Sequence, residues 1–295
     1  MAKLSYKAYG PPARVGSPVP ASRIDGRQVA IVGLTSIAAL LVLLPVLWMI
    51  GTAIRPASEV FSWPPRIIPA HPTAHYLSSI LSSSQYQTFF RNSAIVALAT
   101  MVISLVLGLL AAYGLSRFRI RGGRIMLLSI MALLMIPPVT LIIPYFRLVN
   151  NLNLYDTLPA IILVHTAFAL PISIWLLKSY IDTIPPELEH AAMTDGATRL
   201  QALTKVVVPL MVPGLVATGT FAFIFSWNEF LLALTVTETP SSQTLPIGMA
   251  AFFGQYGRDW SSIMALAVLA SLPLLLVFVF FQRYIVQGIS SGALK

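Results

Sequence analysis

Six long uncharged blocks limit what this chain can become. They cover residues 29–54, 92–116, 125–146, 157–177, 206–228 and 261–282, and the shortest holds 21 residues. A helix needs about 20 apolar residues to cross a hydrocarbon core of ~30 Å. Six such blocks in 295 residues leave no polar shell for a water-soluble fold. The pattern predicts an all-α integral membrane protein with six transmembrane helices. A membrane barrel would show shorter segments of alternating polarity instead. Composition agrees: 57% of residues are hydrophobic and 10% charged, against roughly 25% charged in soluble domains. Cysteine is absent, which excludes a disulfide framework, a thiolate zinc site and a cysteine nucleophile. The first block exceeds the roughly 7–15 residues of a cleavable signal region and runs into Arg55-Pro56, so it is expected to remain a span. Residues 1–27, with Pro11, Pro12, Pro18 and Pro20, read as a flexible tail.

Basic residues orient the spans. With six crossings both termini share a side. That side receives Lys3, Lys7, Arg14, Arg23 and Arg27, then Arg117, Arg119, Arg121 and Arg124, then Lys178, Arg199 and Lys205, and finally Arg283 and Lys295. The other side receives Arg55, Arg66, Arg91, Arg147 and Arg258. Positive residues stay cytoplasmic, so both termini are expected inside. The Arg117–Arg124 cluster also suits anionic lipid heads. Neither reading of the +9 charge needs nucleic acid.

The connections divide the chain into residues 28–90 (first span and an outer loop), 91–283 (the main membrane core) and 284–295 (a flexible, small-residue tail). Trp63 and Tyr76 are candidate interfacial anchors, and residues 237–260 form an outer loop that has room for a short helix at the interface. Pro137, Pro138 and Pro144 interrupt the third block, Pro171 the fourth, Pro213 the fifth and Pro273 the sixth. Each removes a backbone donor and favours a kink. Either the kinks gate a central pathway or they are ordinary helix bending. Pro137-Pro138 is the leading gate-hinge candidate.

The inner loop 181–207 carries the sharpest pattern, Ile184-Pro185-Pro186-Glu187-Leu188-Glu189-His190-Ala191-Ala192-Met193-Thr194-Asp195-Gly196-Ala197. Proline suits the first turn of a helix, and Glu187 and Glu189 favour its positive end. Gly196 is a natural stop because it tolerates the left-handed conformation. A helix of about ten residues is predicted, with Leu188, Ala191, Ala192 and Asp195 on one face. Such a helix is shaped either to be held by a partner or to lie on the membrane surface.

This loop resembles the signature of binding-protein-dependent ABC importer permeases: Glu-Ala-Ala, three residues, Gly, nine residues, then Ile-x-Leu-Pro. Here the positions read His190-Ala191-Ala192, Gly196 and Val206-Val207-Val208-Pro209. His190 replaces the usual acid, and neighbouring Glu189 is a candidate substitute. The resemblance covers roughly residues 28–295. Pro209-Leu210-x-x-Pro213, Trp227-Asn228-Glu229-Phe230 and the ending Gln282-Arg283-Tyr284-x-x-x-Gly288-x-x-x-Gly292-Ala293-x-Lys295 are similar to the carbohydrate, maltose-type branch.

The resemblance implies a type I importer permease fold in a prokaryotic inner or plasma membrane. It implies four kinds of partner: a second permease, two ATP-binding subunits, an extracytoplasmic solute-binding protein and the lipid bilayer. The loop residues Glu187, Leu188, Glu189, His190, Ala191, Ala192, Asp195 and Gly196 would couple to an ATPase, and Gly288, Gly292 and Ala293 would contact the ATPase pair. No Gly-x-x-x-x-Gly-Lys-Ser/Thr loop occurs in the sequence, so ATP and magnesium are expected in the partner subunits, with no cofactor or metal in this chain. The implied solute is a di- or oligosaccharide. A glycerol-phosphate-type solute is the nearest rival, and a proton-coupled secondary transporter the more distant one.

Polar residues inside spans point to function or to internal pairing. Asn228 and Glu229 either line the pathway, where an amide and a carboxylate suit sugar hydroxyls, or sit at the interface with Glu229 paired to an outer arginine. His165 reads as a hydrogen-bonded packing residue ahead of a proton relay. Tyr145 suits stacking on a sugar ring or interfacial anchoring. No His-Glu-x-x-His or Gly-x-Ser-x-Gly pattern occurs, and no catalytic constellation is found.

Overall fold

The computed structural model describes residues 26–64, 68–255 and 259–292, and every regular element among them is helical. The chain forms two units, residues 1–46 and 47–295. In the first, the described residues belong to helix α1 (Gly26–Ala53). Val32, Leu34, Leu41 and Val42 are exposed around it. A helix apolar on all sides suits hydrocarbon rather than water.

The second unit continues through α2 (His75–Ser82), α3 (Ser84–Arg117), α4 (Gly123–Ala132), α5 (Ile142–Asn151), α6 (Leu158–Ile181), α7 (Glu187–Thr194), α8 (Arg199–Ala202), α9 (Val208–Leu210), α10 (Val212–Asn228), α11 (Leu231–Val236), α12 (Leu245–Gln255) and α13 (Trp260–Gly292). Helices α3, α6 and α10 form its centre. Each turns a row of residues spaced by four toward the others: Thr100, Ser104, Gly108 and Ala112 on α3; Ala169, Ser173 and Leu177 on α6; Gly214, Thr218, Ala222 and Ser226 on α10, all buried. Rows at this spacing interlock as ridges and grooves. Small residues let membrane helices approach closely. Among these three helices Gly214 makes a close approach, since a Cβ there would lie 2.5 Å from Cγ of Tyr180.

The six blocks do not become six continuous helices. Four described helices are long and apolar enough to span alone, and two bent pairs raise the number to six if each pair is one span. The third block breaks at its paired prolines. Ile136 and Pro137 are extended (ψ 121° and 129°), as residues before proline prefer. The flanking arms, Gly123–Met135 and Pro138–Asn151, meet at 95°. The fifth block bends by 80° between Arg199–Leu210 and Val212–Asn228, after a π-helical turn at Leu203–Val207. Pro213 sits in the first turn of α10, where its missing N–H costs nothing. Pro171 and Pro273 lie inside unbroken helices.

One other expectation changes, at the C-terminal tail, whereas the short helix for which the 237–260 loop has room is present as α12 and packs against the helical core. Leu245, Ile247 and Phe252 are buried, and the Leu245 N–H donates to Ser93 Oγ at 2.8 Å. The tail expected to be flexible from residue 284 instead continues α13 to Gly292. Gly288 and Gly292 therefore sit in a helix, while Ala293 lies outside the described residues.

Candidate functional site

The inner loop is a short helix locked to the end of α3. Helix α7 closes with two reversed hydrogen bonds, Gly196 N–H to Met193 O (3.1 Å) and Ala197 N–H to Ala192 O (3.0 Å). That pair defines a Schellman ending, and Gly196 takes the φ of +94° that it requires. Thr198 then starts α8 with a capping box to Gln201. Glu189 points inward and is only 3% exposed. Its Oε1 accepts from Arg117 Nε at 2.5 Å and its Oε2 from the Tyr113 hydroxyl at 2.8 Å. Arg117 also donates to the carbonyls of Ile181 and Ile184. One guanidinium thus ties α3, the end of α6 and α7 together.

This geometry corrects two sequence expectations. Glu189 is a buried support and not a contact surface. Arg117 is its ion-pair partner and not one more free charge of the basic loop. The outward face of α7 carries Glu187, Leu188, His190, Ala191, Thr194 and Asp195, with Leu188 46% exposed, while Ala192 is half-buried. Beside it a cleft of about 260 Å³ is lined by Arg117, Arg119, Pro186, His190, Met193 and Arg199. Arg199 stacks over the Phe118 ring at 4.9 Å.

At the far end of α10 a second buried chain joins three helices. Glu229 Oε2 lies 3.0 Å from His165 Nε2, and His165 Nδ1 lies 2.8 Å from Ser226 Oγ. The same carboxylate accepts from the Leu232 and Ala233 N–H groups at 2.9 and 3.1 Å. It therefore caps the start of α11, where orphan amides and the helix dipole favour an anion. Both Glu229 oxygens are thus engaged within the chain, and its partner is His165 rather than an outer arginine. Asn228 is exposed, with Nδ2 donating to Ile224 O at 2.8 Å. Tyr145 is half-buried and its ring lies 6.0 Å from that of Phe168. Tyr76 accepts the Ala57 N–H at 3.0 Å, a pin within the outer loop. Trp63 is exposed.

Asp156, which sequence reasoning passed over, ties the 152–157 turn to the 237–243 loop. It accepts from the N–H groups of Glu238 and Thr239 (2.8 and 3.0 Å), the Thr239 hydroxyl (2.7 Å) and the Ser242 hydroxyl. Burial pushes its carboxyl upward, but these donors outweigh that and hold it down at about 2. Asn92 adds two donations to the carbonyls of Ser241 and Gln243, each 2.9 Å. A single Asp in a short turn gives no sequence signal of this role. The positive φ of 59° at Asp156 appears only in the folded chain.

The family then follows from comparison with known proteins. Residues 104–291 match the family described as binding-protein-dependent transport system inner membrane component. The trehalose transport system permease protein of Mycobacterium tuberculosis is 38% identical over 255 residues, covering 86% of this chain and 92% of that one. The diacetylchitobiose uptake system permease protein of Streptomyces coelicolor is 35% identical over 251 residues, covering 85% and 91%. Among solved structures, a chain of a bacterial ABC transporter involved in import of the acidic polysaccharide alginate superposes with a TM-score of 0.74 at 24% identity, covering 91% of this chain and 99% of that one. This chain belongs to the binding-protein-dependent ABC importer permeases. It is a multi-pass inner-membrane transport subunit.

Proposed function

We propose that this chain forms half of the translocation pathway of an ATP-driven importer for a di- or oligosaccharide. A second permease would supply the other half, two ATP-binding subunits would hydrolyse ATP with magnesium, and an external binding protein would deliver the solute. The saccharide assignment is supported by relatives named for trehalose and diacetylchitobiose. It is favoured on that ground over a glycerol phosphate. The observation that carries the mechanism is the α7 latch. Arg117, Glu189 and Tyr113 hold a short helix rigidly against α3 while Leu188, Ala191 and Asp195 remain exposed. A helix fixed at its back and open at its front can transmit the movement of a partner to the membrane core as a rigid body. The 95° break at Pro137-Pro138 and the 80° bend at Met211 are the places where that movement would be absorbed. Gly288, Gly292 and Ala293 would supply a second ATPase contact. Both termini would lie in the cytoplasm.

The test separates insertion from coupling. Ala191→Trp enlarges the exposed face of α7. Gly196→Asp puts a side chain at a left-handed position, at a cost of about 1 kcal/mol or more. Both variants are expected to enter the membrane normally, yet to lose ATPase subunits on purification and to lose uptake. His190→Glu, at an exposed position, is expected to be tolerated. Normal ATPase retention and uptake in both damaging variants would remove the coupling role.

A further inference from the structure

Helix α10 has two accessible sides, and only one of them carries an exposed polar side chain. One side, with Val216 and Phe223, borders a groove of about 340 Å³ shared with Leu98, Leu105, Val277 and Phe281, and this wall is almost wholly apolar. The other carries Phe221, Phe225 and Asn228, spaced i, i+4 and i+7 and therefore on one face. Phe221 and Phe225 stack at 6.5 Å with their planes 18° apart. Phe225 stacks on Phe168 of α6 at 6.4 Å, also at 18°, and Phe168 meets Tyr145 of α5 at 6.0 Å. Four half-buried rings from three elements thus form a continuous row from Tyr145 to Phe221, and the exposed Asn228 lies one turn along α10 from Phe225 on the same face. His165, held by Glu229 and Ser226, packs its edge on Phe225 at 6.1 Å and fixes the platform from behind.

An exposed amide against lipid tails is costly, and polar groups within spans face cavities or partners. Flat aromatic faces beside hydrogen-bonding amides match a pyranose, which has apolar C–H faces and hydroxyl edges. We infer that the row Tyr145, Phe168, Phe225 and Phe221 with Asn228 is the surface this chain turns toward the pathway, where its rings stack on saccharide rings and Asn228 bonds their hydroxyls. This rests on the saccharide importer reading above.

The chain has no cysteine, so single cysteines report cleanly. In the assembled transporter in proteoliposomes, cysteines at Phe221, Phe225 and Asn228 are expected to react with a membrane-impermeant methanethiosulfonate. One at Leu98, exposed but on the apolar side, is expected to stay unreactive. Equal protection at all four positions would overturn the pathway assignment, whatever the solute. In a second arm, uptake of labelled trehalose, maltose and diacetylchitobiose is measured. Phe225→Leu is expected to raise KM roughly 3–10-fold, the size of one aromatic contact, and Phe225→Trp to restore it. An unchanged KM in Phe225→Leu would overturn stacking. A wild-type complex that moves none of these sugars would overturn the saccharide half together with the reading it rests on, while labelling still decides which side of α10 is wet.

Discussion

Two carboxylates show how much a single residue's role depends on what surrounds it. Glu189 and Arg117 form a pair with side chains 4% and 10% exposed. Removing one partner of such a pair leaves a buried uncompensated charge, typically at 3–5 kcal/mol, whereas removing both can be nearly neutral. Glu189→Met alone is therefore expected to destabilise the purified permease by about 3 kcal/mol, and Arg117→Met with Glu189→Met by much less. Chemical denaturation of the four species in a double-mutant cycle measures this. Additive losses would mean the two residues act separately. Asp156 behaves differently because it is satisfied by neutral donors. Its folded value of about 2 lies below the ordinary 3.8. A depressed carboxyl contributes stability that is fully present above its unfolded value and lost as pH falls through the folded one. The contribution is on the order of 1–2 kcal/mol and should vanish between pH 3.8 and about 2. Asp156→Asn is expected to melt lower than wild type at pH 6, and the two to converge near pH 2. A constant gap across that range would assign the loss to something other than the charge.

Among the elements, the bent pairs matter most. Pro137 and Pro138 withhold two backbone donors in succession and hold Ile136 extended, so α4 and the Pro138–Asn151 arm cannot join. Replacing both by alanine restores the donors and permits a continuous helix. The double variant is expected to insert normally but to lose most uptake, since a straight third span cannot present Tyr145 to Phe168. Spin labels at Arg124 and Asn150 read the geometry directly: the distance between them should lengthen. An unchanged distance would show that packing by α6 and α11, rather than the prolines, imposes the 95° bend. Pro171 makes the comparison instructive. It lies within α6, which is packed along α3 and α10, and that helix stays unbroken.

At the scale of the whole molecule, the basic bias predicts which side each loop takes. A cysteine at Thr194 should resist an impermeant thiol reagent in intact cells, and one at Ser84 should react. The reverse pattern would invert the topology. The apolar blocks by themselves determined a membrane protein, because chain segments that long cannot be hidden in a water-soluble fold of this size. The spacing of Ala191-Ala192, Gly196 and Pro209 determined the family, and Pro186 and Gly196 determined where α7 begins and ends, because caps and turn glycines act within a few residues. Only the tertiary structure decided which acid faces inward. Glu187 and Glu189 look alike in the sequence, but helical rotation places just one of them against Arg117, 72 residues away. The same holds for Glu229, whose partner His165 is 64 residues distant, and for Asp156, whose donors lie more than 80 residues on. The aromatic row was legible only as one tyrosine, since its members come from α5, α6 and α10. Local pattern fixes where helices form and stop; the identity of neighbours brought together by packing is a non-local property that no periodicity encodes.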